Sequence, residues 1–417
     1  MAARRHSFGR PRLSHDAFNL SNDTRAFSSR RFHPLPPPTG VDPFHLDLSD
    51  VLSAKQINAI KKAKRLVFQI DGDIGGVKDA VPQQLVANGM ESDFKNDPDD
   101  PAADPAFFYI LGDCVYFNGQ AGEYFPQFYQ PYEHYLAPIF AVPGNHDGDN
   151  VAPEDSLAAF VRNFCAAEPG TITPEAGEST RTAMTQPNVF WTLVTPFATI
   201  VGLYTNVPEG GAIHPEQQTW FTKELKNAPK DRALFVTMHH PVISADDHHS
   251  GSAAMKTAVD DAIASSGRAP DVIFAGHVHN YQRFTTKRGN RVLPYIVAGA
   301  GGYHNLHHVV KVNGQKIVPP SRIGTGPNAP ILENYVDSRH GFLRVEVSPA
   351  TVQGKYYTVA RPQESWSEPP HLADLWELDW KKGAMLPNSL PNAGISVDSS
   401  IAAVREPRFR HHEDVMR

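Results

Sequence analysis

The sequence predicts an α/β layered fold with more than one sheet, on three observations. Apolar β-type runs each reach a polar loop, and amphipathic stretches of helical length usually follow. The runs are nearly continuous in apolar residues, as in strands buried on both faces. Further strand-like segments, NVFWTLV, FATIVGLY, RVLPYIVAG and GFLRVEVS, fall outside this series and require a second sheet.

Residues 1–48 read as a poorly ordered arm, rich in Arg and Ser and then stiffened by HPLPPPTG. Ser49 or Asp50 is placed to cap a helix through VLSAKQINAIKKAK. RLVFQI is the first core strand and ends in Asp71-Gly72-Asp73. AFFYIL, APIFAVP, ALFVTM and DVIFA run into Gly112-Asp113, Gly144-Asn145, His239 and Gly276-His277. PEDSLAAFVRNF, PEQQTWFTKELKN and AAMKTAVDDAIASS supply the helices between them. The main domain is expected over residues 49–355. Residues 356–417, rich in Trp, Pro and charge, are expected to form an extension packed on the core or partly disordered.

Composition excludes more than it assigns. At 417 residues, 41% hydrophobic and 20% charged, the chain is an ordinary globular protein. A formal charge of -6 gives no pull towards nucleic acid or anionic membranes. Two cysteines, Cys114 and Cys165, are too few for a disulfide framework and read as free thiols. No apolar run approaches the ~20 residues of a membrane helix. The start MAARRHSFGR lacks the apolar stretch of a secretory signal, so a cytoplasmic location is expected, although its Arg and Ser content also suits a transit peptide. The 20 histidines are partly clustered, which asks for metal or acid–base chemistry.

Five strand ends carry the chemistry: Asp73-Ile74-Gly75, Asp113-Cys114-Val115-Tyr116, Asn145-His146-Asp147, His239-His240 and His277-Val278-His279. Ligands gather at the carboxyl ends of strands in open α/β sheets. Carboxylate, imidazole and amide oxygen form a mixed hard and borderline ligand set. His277 and His279 share a face on a strand or straddle two ions on a loop, and a carboxylate with two oxygens suits a bridge between ions. Each residue alone reads more simply: Asp73 and Asp113 as turn caps, Tyr116 as a core phenol, Asn145 as an Asx-turn, His239 as a satisfied core imidazole. Their joint order is what carries weight.

These five blocks, GDxG, GDxxY, GNH, VxxH and GHxH in that order, resemble the purple acid phosphatase branch of the calcineurin-like metallophosphoesterases. GDIGGV and LGDCVYFNG are most similar to the small, tartrate-resistant animal type. The likeness spans about residues 65–350 and implies a four-layer α/β/β/α sandwich of two mixed sheets. It further implies that Asp73, Tyr116 and His279 bind Fe(III), that Asn145, His239 and His277 bind Fe, Zn or Mn(II), and that Asp113 bridges them. Most superfamily members begin DxH; here Gly75 stands where that His would be, and Tyr116 replaces it. His146 and His248 are implied as the substrate-side acid or phosphate donors, with His249 one residue away from the second. The expected activity is hydrolysis of phosphate monoesters on a small phosphorylated substrate. Phosphodiester or nucleotide hydrolysis by the same centre, or a weakly catalytic phosphate-binding scaffold, are the alternatives. The oligomeric state is not legible in the sequence.

Overall fold

The computed structural model describes residues 35–148, 156–205, 211–312, 314–326 and 328–387. In chain order the strands are β1 His45–Asp47, β2 Leu66–Asp71, β3 Phe108–Ile110, β4 Ile139–Ala141, β5 Trp191–Val194, β6 Ala198–Gly202, β7 Ala233–Met238 and β8 Val272–Ala275. They continue as β9 Tyr281–Arg288, β10 Arg291–Ala298, β11 Lys311–Val312, β12 Gln315–Lys316, β13 Ser321–Arg322, β14 Ile331–Val336, β15 Gly341–Val347, β16 Thr351–Thr358, β17 His371–Asp379 and β18 Ala384–Met385. The helices are α1 Ala54–Ala63, α2 Val81–Glu91, α3 Asn145–Gly148, α4 Ala158–Phe164, α5 Pro215–Asn227 and α6 Ala253–Ser266. None is long and apolar enough to cross a membrane.

The strands form two large mixed sheets, as expected. One has nine strands in the order β1-β5-β6-β7-β8-β10-β9-β14-β13, and the other seven in the order β18-β17-β16-β15-β2-β3-β4. The strands that lead to the candidate ligands run parallel: β2, β3 and β4 in the smaller sheet, β7 and β8 in the larger.

Strand alternation explains the layering. Ala233 and Phe235 of β7, Val272 and Phe274 of β8, and Tyr109 of β3 join Phe68, Trp191, Leu343 and Trp376 in one apolar cluster built from both sheets. The intervening Leu234, Val236, Ile273, Phe108 and Ile110 belong to a second cluster that holds the buried faces of α2, α4, α5 and α6. A strand covered on both sides has no solvent face, so its sequence is apolar throughout.

Three boundaries differ from expectation. The arm is not featureless to residue 48: Leu46 and Leu48 alternate with the exposed His45 and Asp47, and β1 pairs in parallel with β5. Residues 1–34 lie outside the described residues. The boundary expected at 355 falls inside β16, which pairs with β15 and β17, and Trp376 and Trp380 are buried in the inter-sheet core. Residues 388–417 lie outside the described residues. The first helix starts at Ala54, not after Ser49 or Asp50. Ser53 and Gln56 form a capping box there (Gln56 N–H to Ser53 Oγ 3.3 Å, Ser53 N–H to Gln56 Oε1 3.1 Å), while Asp47 caps a separate turn over Leu48–Asp50.

Phe68 of β2 stacks on Phe107 at 4.8 Å and meets Phe235 of the other sheet at 6.4 Å, fully buried. Phe68→Ala is expected to lower unfolding free energy by about 3–5 kcal/mol in urea titration, through lost burial and the cavity left between the sheets.

Candidate metal centre

Asp73 follows β2, Asp113 and Tyr116 follow β3, and Asn145 follows β4, all in the seven-stranded sheet. His239 follows β7, and His277 and His279 follow β8, in the nine-stranded sheet. Each chain turns as soon as its strand ends. Asp73, Asp113 and His277 adopt left-handed φ values of 57°, 53° and 67°. Non-glycine residues rarely sit there, and when they do it is often at functional sites. Two glycines permit the close approach. A Cβ at Gly144 would overlap the Asp113 carboxylate, and one at Gly112 would meet His239 Nδ1 at 2.5 Å and the Gly144 backbone at 2.8 Å.

The seven donors converge as two triads. In one, Tyr116 Oη lies 3.1 Å from Asp73 Oδ1 and 3.5 Å from His279 Nε2, and His279 Nε2 lies 3.4 Å from Asp73 Oδ1. In the other, Asn145 Oδ1 lies 2.9 Å from His239 Nε2 and 3.1 Å from His277 Nδ1, with the two imidazole nitrogens 3.3 Å apart. Asp113 Oδ2 is 3.3 Å from His239 Nε2, which links it to the second triad. Ligands ~2.0–2.2 Å from one ion stand about 3–3.5 Å from each other, so these spacings match the edges of a coordination polyhedron.

The hydrogen bonds around the donors aim them. His239 Nδ1 bonds Leu111 O at 2.8 Å and His279 Nδ1 bonds Asn305 O at 3.0 Å, which turns each Nε2 lone pair inward. Asn145 Oδ1 and His239 Nε2 lie 2.9 Å apart, close enough to share a proton in the free protein or one cation in its place. The residues present fit a pair of metal ions.

Charge tells the same story. Burial is the main influence on Asp73 and pushes its carboxyl up to about 7; His239 opposes this and Asp113 adds to it. Burial would raise Asp113 too, but His239 and His146 outweigh it and hold it below the ordinary carboxylate range. Burial disfavours the His239 imidazolium, yet Asp113 and Asp73 hold it up at about 9. Burial and neighbouring imidazoles push His277 and His279 well down, into the neutral form that binds metals. Burial, Asp73 and Asp113 together raise the Tyr116 phenol well above its usual range, so a phenolate there needs a cation.

The substrate-side histidines divide. His146 donates its backbone N–H to Asp113 Oδ1 at 2.9 Å, and its Nδ1 bonds Phe117 O at 2.7 Å. Its ring lies 4.5 Å from that of Tyr116, with Nε2 4.0 Å from Asp113 Oδ2. His248 is exposed and does not reach the donors. His249 lies between, with its ring 4.4 Å from His277 and 6.2 Å from His279. The geometry therefore brings His249, and not His248, to the centre. Asp147 accepts backbone N–H bonds from Cys114, Val115 and Gly144 at 3.1, 3.1 and 2.8 Å, tying the β3 and β4 loops together.

Two neighbours come from AGAGGY and the loop after it, whose His304, His307 and His308 read as surface residues in the sequence; for His307 the structure corrects this. Tyr303 stacks on Tyr116 at 4.3 Å, and His307 is buried against His279 at 4.3 Å. His304 is half-buried, and His308 sits outside near Asp337. Their segment, AGAGGYHNLHH, has no helical or strand period that would have marked it.

The family model described as "Calcineurin-like phosphoesterase" matches residues 72–281, which contain all seven donors. Purple acid phosphatase 21 of Arabidopsis thaliana is 32% identical over 96 residues, 21% of this chain and 22% of that relative. The purple acid phosphatase from yellow lupin (Lupinus luteus) seeds superposes with a TM-score of 0.53 at 15% identity, covering 76% of this chain and 54% of that one. The chain thus spans about a fifth of the first relative and about half of the second.

Metal binding here competes with protons. In the metal-free protein, raising Asp73 towards 7 favours its protonated form, so stability is lost as pH rises from about 4 through 7. A bound cation needs the carboxylate and a neutral His239, and so restores most where both protons are already leaving. The gain in melting temperature on saturation with a divalent metal is expected to be larger at pH 8 than at pH 5, read by calorimetry; equal gains would contradict the assignment of Asp73 and His239 as ligands.

Proposed function

The chain belongs to the calcineurin-like phosphoesterase family, and on that premise we propose that it hydrolyses phosphate monoesters at a dinuclear centre. The reading rests on one observation: two donor triads with internal spacings of 2.9–3.5 Å, with the Asp113 carboxylate 3.3 Å from His239 of one and within 4.8 Å of Asp73 of the other. In this proposal Asp73, Tyr116 and His279 hold one ion, Asn145, His239 and His277 the other, and Asp113 bridges. The hard, anionic Tyr116 phenolate favours Fe(III) in the first position, with Fe, Zn or Mn(II) in the second. Such a pair, when bound, supplies activated water and positive charge for the phosphoryl oxygens.

The chain's own residues complete the chemistry. His146 is anchored by two backbone contacts, one from its N–H to Asp113 and one from its Nδ1 to Phe117 O. Its Nε2 stands 4.0 Å from Asp113 Oδ2 at the centre, where it would hydrogen-bond a phosphoryl oxygen and give a proton to the departing alkoxide. His249, packed on His277, faces the substrate from the other side and takes the role expected of His248. Tyr303 walls the centre beside Tyr116 and restricts water.

The first test is the ratio of rates on a simple aryl phosphate monoester and the matching diester. Monoester preference supports the proposal; diester preference replaces it with a phosphodiesterase. Asp113→Ala is expected to lose metal and about 10^3-fold or more in kcat. Tyr116→Phe should lose a visible charge-transfer band while some activity remains, and a colourless wild-type protein that still hydrolyses esters would remove iron from the account. His146→Ala should lower kcat by about 10^2-fold on an alkyl ester and much less on an activated aryl ester, since only the poor leaving group needs the proton.

A further inference from the structure

Six imidazoles form one continuous group on the inner and outer sides of the centre. His240 packs on His277 with ring centroids 4.3 Å apart, His277 on His249 at 4.4 Å, His249 on His307 at 5.0 Å, and His307 on His279 at 4.3 Å. His248 completes the group, 4.7 Å from both His249 and His307. The donor triads take up His277 and His279. His248, His249 and His307 are outside the triads, and each offers a ring nitrogen within 4.8 Å of the other two.

We propose that His248, His249 and His307 bind a further divalent cation of the zinc class, at the outer rim of the centre. Among the described residues, no hydrogen bond engages a ring nitrogen of His248 or His249. His307 is only 6% exposed, and its Nδ1 has no hydrogen-bond partner. Asp246 Oδ2 lies 3.3 Å from that atom; burial would raise the Asp246 carboxyl, but His307 helps hold it below its ordinary value. A carboxylate beside one imidazole nitrogen orients the ring and makes the other nitrogen a better ligand.

The positions are built rather than accidental. Asp246 Oδ2 accepts the backbone N–H groups of His248 and His249 at 3.0 and 2.8 Å, which fixes their turn. Asn280 Nδ2 donates to Asp246 Oδ1 at 2.9 Å and to His307 O at 3.0 Å, which locks the third ligand's backbone to the same carboxylate. Three imidazoles without a thiolate suit zinc, with a fourth position open to water or an anion.

A cation there removes His249 from the substrate, so excess zinc inhibits. That consequence, unlike the binding itself, rests on the phosphoesterase reading. The test counts zinc in full-length protein after dialysis against micromolar zinc chloride. Wild type is expected to hold one equivalent more than His248→Ala; His248 is exposed, so the variant should keep its melting temperature. His307→Gln should show the same deficit. Equal zinc in wild type and both variants overturns the site. A second arm follows monoester hydrolysis against added zinc, each protein scaled to its own zinc-free rate. Inhibition is expected to need about tenfold more zinc in His248→Ala. A lost equivalent with unchanged inhibition overturns the inhibitory role and keeps the site. A protein that hydrolyses no ester overturns the phosphoesterase reading, and the zinc count still decides the site.

Discussion

Two carboxylates, Asp73 and Asp113, are buried side by side with almost no solvent contact. Buried charge is tolerated only when it is paired. Within the centre only the His239 imidazolium is held in the charged form by its neighbours, while burial keeps His277 and His279 neutral. One cation cannot balance both carboxylates as anions, so the free cluster keeps a proton on Asp73 up to about 7, and a metal ion would take that proton's place. The local backbone follows from the need to crowd these groups together. Left-handed turns at Asp73, Asp113 and His277 start the loops at once, and Asp147 gathers three N–H groups to hold the loops after β3 and β4 together.

The same need explains the second layer of histidines. His249 and His307 rest on the inner imidazoles and shield them, so the inner rings stay dry and neutral. Shielding leaves buried polar atoms with imperfect partners, His307 Nδ1 among them, which meets Asp246 Oδ2 at 3.3 Å. Such atoms persist in folded proteins mainly where a ligand, an ion or a water completes them.

Much of this was legible in the sequence because strands buried on both faces write themselves as unbroken apolar runs, and five such runs ended in polar blocks of a recognisable order. Tyr303 was not legible, and His307 read as a surface loop residue although it is buried. Their segment has no periodicity, and long-range backbone bonds place it: Tyr303 N–H to Asp73 O at 2.8 Å and His307 N–H to His279 O at 3.0 Å. The choice between His248 and His249 also lay beyond pattern, since one residue of slip along a loop decides which ring turns inward. At the chain's ends the signal was present but faint. Leu46 and Leu48 alternate over only two periods, and β17 announces itself mainly through Trp376, which packs across Gly354.

Each donor triad draws on both sheets: Asp73 and Tyr116 face His279, and Asn145 faces His239 and His277. Between the two plates of the sandwich, apolar contact is joined by polar ties: Thr237 Oγ1 to Tyr109 Oη at 3.0 Å, and Arg283 Nε and Tyr281 Oη to Asp374 Oδ2 at 2.7 and 2.8 Å. Coordinated ions would therefore act as rivets along one edge. Without them the edge keeps its backbone bonds, Gly72 N–H to Ala298 O and Tyr303 N–H to Asp73 O, both at 2.8 Å, so the ions would tighten a seam that the chain has already drawn closed.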